Sequence, residues 1–307
     1  MKTVVFYYTQ SGQALSVAES ICKPLEDFAK GGAVSVVYKQ IIPQQSYPFP
    51  WNKYEFFDTF PEARLGLPPS GIEPIDFSDI TDADLVMVVG QSWFLSPSLP
   101  LQSFFTDRQV MEYLNGRNIV FVNVCRNMWL MTKKKVQQYV NDAHACLVGH
   151  IVMQDDAPNL VSVLTIIRWL IYGRKKGGVL LPDAGISADD ISGASRFGDI
   201  IHHTWVEGDL DRLQERLLEA GAIKYKPSVM FMEKAGHRMF GLWAAFIRRK
   251  GGFRDNRRRF RLNLFYVYLL TVLFLVSPFG QLFFYLTYPL QHVGQNRRED
   301  CGVRLTA

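Results

Sequence analysis

The feature that most restricts this chain is an alternation. Short runs of β-branched and aromatic residues, apolar throughout, are separated by segments with helical spacing. Thr3-Val4-Val5-Phe6-Tyr7-Tyr8 is the first such run, and Val34 to Ile41 the second. Leu85 to Val89, Ile119 to Asn123 and Leu147 to Met153 follow. Between the first two, Leu15, Ala18, Ile21, Cys22 and Leu25 recur at the period of a helix, and Lys133 to Ala145 repeats the pattern later. A strand that is apolar on both sides must be covered on both faces, and parallel neighbours need crossover segments between them. The expectation is therefore an α/β fold with a five-stranded parallel sheet between two helical layers.

Two stretches exceed that minimum. Residues 42 to 82 form a Pro- and aromatic-rich insert containing Tyr47-Pro48-Phe49-Pro50-Trp51 and Tyr54-Glu55-Phe56-Phe57. A connection of this length reads as a functional loop or lid. Residues 157 to 188 form the other, with a helix-length run from Asn159 to Tyr172 that is apolar almost all round. It reads either as a buried helix or as an apolar wall for a ligand or lipid. A charged helix from Asp209 to Ala222 closes the first unit, expected at 1–222, and a helical extension follows at 223–307.

Between the first strand and first helix stands Thr9-Gln10-Ser11-Gly12-Gln13-Ala14. A helix N-terminus presents unpaired N–H groups and partial positive charge, which suits a phosphate. Two hydroxyls could add donors, and glycine allows close approach. An ordinary capped turn is the plainer alternative. The motif resembles the short phosphate loop of flavodoxins, Thr/Ser-x-Ser/Thr-Gly-x-Thr/Ser, departing at Ala14 where a hydroxyl is usual. That resemblance implies the doubly wound strand order 2-1-3-4-5 and FMN as cofactor. No GxGxxG is present, which argues for a monophosphate over a dinucleotide. After the third strand, Ser92, Trp93, Phe94 and Leu95 occupy the loop that in flavodoxin-like reductases runs along the flavin ring, where an aromatic can stack. After the fourth strand, Cys125, Arg126 and Asn127 occupy the loop that holds the pyrimidine side. Arg126 there would stabilise the negative charge of reduced flavin. Cys125 has no His or Asn partner pattern and reads as a packing residue.

Charge is unevenly distributed. Between Lys224 and Arg261 there are twelve Lys/Arg against Glu233 and Asp255, so this segment carries +10 of a net +5 and the remainder −5. Leu262 to Leu290 then contains no charged residue. A basic block leading into so long an apolar run points to a membrane surface and away from nucleic acid. Arginines flank both ends, including Arg297-Arg298, and Pro278-Phe279-Gly280 lies near the middle, which favours a re-entrant hairpin over a single span. The four cysteines are scattered, so neither a disulfide framework nor a metal site is expected. With no leader-like apolar region at the start, the expected location is the cytoplasm, at the inner face of the membrane.

Further motifs carry a narrower resemblance. Tyr47 to Trp51, Phe56-Phe57-Asp58, Phe60-Pro61-Glu62, Gly149-His150-Ile151-Val152, Ala157 to Ser162 and Arg196-Phe197-Gly198 are similar to the bacterial dialkylresorcinol-biosynthesis (DarA-type) family. The likeness implies an aromatase that oxidises a 2,5-dialkylcyclohexane-1,3-dione, made by a partner ketosynthase, to the resorcinol. A base would remove an acidic ring proton while a hydride leaves the neighbouring carbon. His150, Tyr54, Asp58 and Arg168 are the candidate bases or enolate stabilisers, each with an alternative structural role. Two other readings remain open: a membrane-associated quinone or porphyrinogen oxidoreductase, and a membrane-anchored flavodoxin electron carrier. The sequence also leaves a homodimer open.

Overall fold

The structure is a computed structural model and describes residues 1–29, 34–276 and 279. Strands β1 (Lys2–Tyr7), β2 (Ser35–Gln40), β3 (Leu85–Trp93), β5 (Asn118–Cys125) and β6 (Cys146–Gln154) form a parallel sheet in the order β2-β1-β3-β5-β6. A two-residue strand, β4 (Ser96–Pro97), folds back antiparallel on β3. With β4 set aside, the spatial order is 2-1-3-4-5, the flavodoxin-like doubly wound sheet. The alternation of strand side chains divides the core in two. Val4, Phe6, Val86, Val88 and Phe121 face one helical layer, while Val5, Met87, Val89, Val120 and Val122 face the other.

Helix α1 (Gln13–Ala29) buries Ala14, Val17, Ala18, Ile21, Cys22 and Leu25 completely. Leu15, expected on that face, is only half-buried, because the stripe begins one residue earlier. Helix α9 (Ser195–Val206) crosses α1 at Gly198, where a Cβ would lie 1.9 Å from the Ile21 carbonyl oxygen. The second layer comprises α4 (Leu99–Thr106), α5 (Arg108–Leu114) and α6 (Leu130–Asp142). The insert holds two short helices, α2 (Lys53–Asp58) and α3 (Phe60–Leu65). The apolar run of the second insert is helix α7 (Asn159–Tyr172), followed by α8 (Ala188–Gly193). The charged segment after α9 is split into a 3-10 turn at Leu210–Arg212 and α10 (Leu213–Glu219).

The C-terminal arm consists of α11 (Pro227–Arg248) and α12 (Arg259–Thr271), which continues as a π-helical turn over Val272–Val276. The rest of the apolar run, its Pro278 and Gly280, and the second arginine flank lie outside the described residues. The arm packs on the insert: Phe60 and Phe265 stack at 3.8 Å, with Ala244, Ile247 and Leu262 around them. Beneath them lies a buried ion cluster. Arg258 is fully buried and donates to Asp58 Oδ1 at 2.6 Å and to both Glu62 carboxylate oxygens at 2.7 and 2.9 Å. Arg248 adds a second cation to Glu62 at 2.9 Å.

Removing one partner of a buried ion pair leaves an unpaired charge, which costs roughly 3–5 kcal/mol. Arg258→Met should therefore lower the unfolding free energy by about that amount in urea titrations, whereas Arg108→Met, which breaks an exposed i,i+4 pair, should leave the urea midpoint almost unchanged.

Candidate functional site

Three connections leave the carboxyl ends of adjacent strands β1, β3 and β5, where open α/β sheets gather their ligands. The first turns into α1 at Gly12, whose φ of +85° suits glycine and whose missing Cβ would meet nothing within 4 Å. The Thr9 hydroxyl is buried without a partner, and Ser11 is partly exposed. No acidic residue lies in the first turn of α1. These features fit an anionic group received by backbone N–H donors and the Thr9 hydroxyl. The other loop residues have structural tasks. Gln13 donates to Ile186 O at 2.8 Å and accepts from Ile186 N at 3.1 Å, and Ala14 is wholly in the core. Gln10 donates to Pro48 O at 3.0 Å and accepts from Trp51 Nε1 at 3.1 Å, which fastens the aromatic insert to this loop.

The second connection is a tight hairpin. Trp93 pairs with Ser96, and the two residues between them, Phe94 and Leu95, have φ of +50° and +62°. Two successive left-handed non-glycine residues are strained, and such strain persists only where packing enforces it. Phe94 is held by Phe56 at 4.8 Å and Phe60 at 5.2 Å, and Leu95 lies against Gly236 of α11. Trp93 sits edge-on to Tyr47 at 5.3 Å and Trp51 at 5.5 Å. The expected stacking aromatics are thus packed into an aromatic cluster with the insert. Ser92 donates to Asn123 Oδ1 at 2.9 Å and lies 2.8 Å from Thr132 Oγ1.

In the third connection, Arg126 Nη1 donates to Asn159 Oδ1 at 2.7 Å, and Asn127 Nδ2 donates to the same oxygen at 3.0 Å. The loop is thereby tied to the start of α7. Burial draws the Arg126 guanidinium down to about 10, which leaves it cationic at neutral pH. Among the described residues Asn123 Nδ2 and Asn127 Oδ1 are buried without partners; Asn127 belongs to the expected loop, and Asn123 is a polar group that sequence reasoning did not single out. Cys125 is buried and its thiol is pushed up by burial, in keeping with a packing role.

Of the four candidate catalytic residues, Tyr54 and Asp58 line one cleft, while His150 and Arg168 lie elsewhere. His150 is in the middle of β6, paired with Phe121 and stacked on its ring at 5.5 Å. Both of its ring nitrogens are unpartnered, and burial holds it down to about 3. It is a neutral core side chain, 1% exposed. Asp58 is consumed by Arg258 and by the Arg254 N–H at 2.7 Å. Arg168, on α7, approaches Gly177 O at 3.4 Å. Tyr54 remains. It lines a cleft of about 220 Å³ with Gln45, Tyr47, Trp51 and Arg254. Gln45 Nε2 is buried there without a partner among the described residues, and the Tyr54 hydroxyl is buried beside Arg259, whose guanidinium lies 4.5 Å from the Tyr54 ring. Burial raises the tyrosine, with Asp58 adding to the shift. The cleft lies beside the first loop, which it meets through the Gln10 contacts to Pro48 and Trp51.

No family model matches the chain, and no curated protein does. Among solved structures it is similar to a flavoprotein of Lactobacillus acidophilus in complex with FMN, at 17% identity over 51% of this chain and 94% of the other, with a TM-score of 0.38. It is also similar to a flavodoxin-type, WrbA-like protein of Agrobacterium tumefaciens (12%, 67% and 98%, TM-score 0.37). An azoreductase of Bacillus anthracis is a third (12%, 65% and 99%, TM-score 0.33).

The position of His150 has a pH signature. Its folded pKa of about 3 lies below the ordinary 6.5, so its contribution to stability is complete above about 6.5 and is lost as pH falls towards 3. His237, held at about 4 by burial and then by Arg64, acts in the same window. Urea midpoints should fall between pH 7 and pH 4, and His150→Leu should flatten part of that slope.

Proposed function

We propose that this chain is an FMN-dependent oxidoreductase acting on a lipophilic ring, and that its reaction is the oxidation of a 2,5-dialkylcyclohexane-1,3-dione to a dialkylresorcinol. The observation that carries the cofactor half is the first loop. It combines an open Gly12, an unpartnered Thr9 hydroxyl and a helix N-terminus with no acidic residue in its first turn. The flavodoxin-like sheet and the two neighbouring loops support it, and the motif resemblance supports the substrate class.

FMN supplies a hydride acceptor. The residues of this chain would do the rest. Backbone N–H groups at the start of α1 would hold the phosphate, with Thr9 and Ser11 as hydroxyl donors. Asn123 and Asn127 offer unpartnered amide atoms towards a heterocycle edge. Tyr47, Trp51 and Trp93 make an apolar wall that keeps water from the reacting ring. In the adjoining cleft, the Tyr54 hydroxyl and the Gln45 amide would hydrogen-bond the two ring oxygens and orient the ring. Oxidation would remove a proton from the ring CH2 beside one carbonyl and a hydride, accepted by the flavin, from the alkyl-bearing carbon next to that CH2; tautomerisation then gives the aromatic diol. A ketosynthase that makes the dione remains the expected partner.

Purified full-length protein should show flavin absorbance and release FMN on heating. Ser11→Glu should weaken FMN binding about tenfold or more by placing a carboxylate beside the phosphate. Under anaerobic conditions the dione should bleach the flavin and yield the resorcinol, with Tyr54→Phe slowing the bleaching. A protein that takes up no FMN defeats the whole reading. A protein that binds FMN, ignores the dione and reduces a quinone with NADPH is a quinone oxidoreductase instead.

A further inference from the structure

Among the described residues, helices α11 and α12 leave an apolar surface uncovered. On α12 the exposed positions Phe260, Leu264, Val267, Thr271 and Leu275 follow one another at spacings of four, three, four and four, a single stripe along the helix. Phe260 is 72% exposed, Val267 60% and Leu275 63%. The helical segment Asn256–Val276 is long and apolar enough to cross a membrane, and only 11% of its apolar window is buried within the protein. On α11, Met239, Leu242 and Phe246 form a second exposed stripe. Arg261 joins the two: it donates to the Phe246 carbonyl and stacks on the Phe246 ring at 4.0 Å. At the foot of α12, Arg248, Arg249, Lys250 and Arg257 line one shallow concavity with Gly251 and Gly252. Arg249, Lys250 and Arg259 are exposed. Glu62 and Asp255 are the only carboxylates paired with this group among the described residues.

We propose that this face docks on an anionic phospholipid bilayer, with α12 entering the hydrocarbon and the cationic concavity at the level of the headgroup phosphates. The run from Leu262 to Val276 rises about 22 Å, deeper than the roughly 15 Å of one leaflet. Lipid answers both halves of the surface, since acyl chains cover the stripe and phosphates meet the cations. A second copy of the chain would cover the stripe, but across a two-fold axis it would bring the same cations towards one another. A polynucleotide would satisfy the cations and leave Phe260, Val267 and Leu275 in water. The anchor is also firmly joined to the candidate substrate cleft. Arg258, at the start of α12, is buried against Asp58 and Glu62, and Phe253 and Arg254, just before it, line that cleft.

The test is flotation of the full chain, purified in mild detergent and diluted into vesicles of phosphatidylcholine alone or with 30% phosphatidylglycerol (about 0.15 M salt). It reads lipid binding independently of flavin content, so it stands or falls apart from the proposed reaction. The protein should float with the anionic vesicles and far less with the neutral ones. Arg249→Glu with Lys250→Glu should weaken partitioning about tenfold or more. Leu264→Asp with Val267→Asp should abolish it, while circular dichroism shows both variants folded. Folded full-length protein that stays at the bottom of the gradient with either vesicle would overturn the proposal. So would a dimer in light scattering that Val267→Asp converts to a monomer, which would assign the face to a second copy.

Discussion

Arg258 is a guanidinium with no access to water, and much of the region around the site follows from how its charge is met. Asp58 ends one short helix and Glu62 lies in the next, so the chain turns between them to bring both carboxylates to one cation. Desolvation disfavours the charged state of Arg258, and the two carboxylates reverse that balance, leaving its pKa raised overall. The insert alone would bury two like charges close together, and the arm alone would bury an unpaired cation. Each segment therefore needs the other to fold as it does. Phe60 on Phe265 supplies the apolar contact, and the ion cluster sets which residues face which.

That dependence explains what could and could not be read from the sequence. The central strands were legible because a parallel strand buried on both faces is apolar, as at 85–89 and 119–122. The edge strand β2 is only partly buried and carries Ser35, Lys39 and Gln40. The runs at 3–8, 34–41, 85–89, 119–123 and 147–153 all fall within or against the observed strands. The hairpin after β3 was not legible. A two-residue turn with both residues left-handed normally announces itself with Gly or Asn, and here Phe94 and Leu95 are forced into it by Phe56, Phe60 and Gly236. Asp58 looked chemically available because its partner stands 200 positions later. His150 looked like a base because a motif does not tell which of its residues face the inside of a sheet. In the structure His150 is 1% exposed in β6 and stacked on the Phe121 ring.

The first loop was the most legible part of the site, since its chemistry lies in consecutive residues. Even there, residue type proved a poor guide to role. Gln10 and Gln13 sit within the motif, yet one clamps Trp51 and the other Ile186. Such roles have a cue in composition, because an insert rich in aromatics needs polar anchors at its base, but not in local spacing. Thr9 and Gly12 keep the features that a phosphate requires.

Helices α1, α4 and α6 follow the three candidate loops at the carboxyl edge of the sheet, and a helix N-terminus there can receive an anion. The protein itself distinguishes α1 from α6. Glu233 of α11 places its carboxylate on α6, accepting from Leu130 N at 3.2 Å and Met131 N at 2.8 Å. Burial raises that carboxyl while the backbone N–H groups pull the other way, as expected for a cap inside the fold. The positive end of α6 is therefore already answered, and a second anion there would meet Glu233. At α1 there is no acidic residue in the first turn, and the position a side chain would fill at Gly12 is open. The C-terminal arm thus does more than cover apolar surface. By closing the start of α6, it leaves that of α1, of these two, with backbone donors that no carboxylate of its own first turn answers.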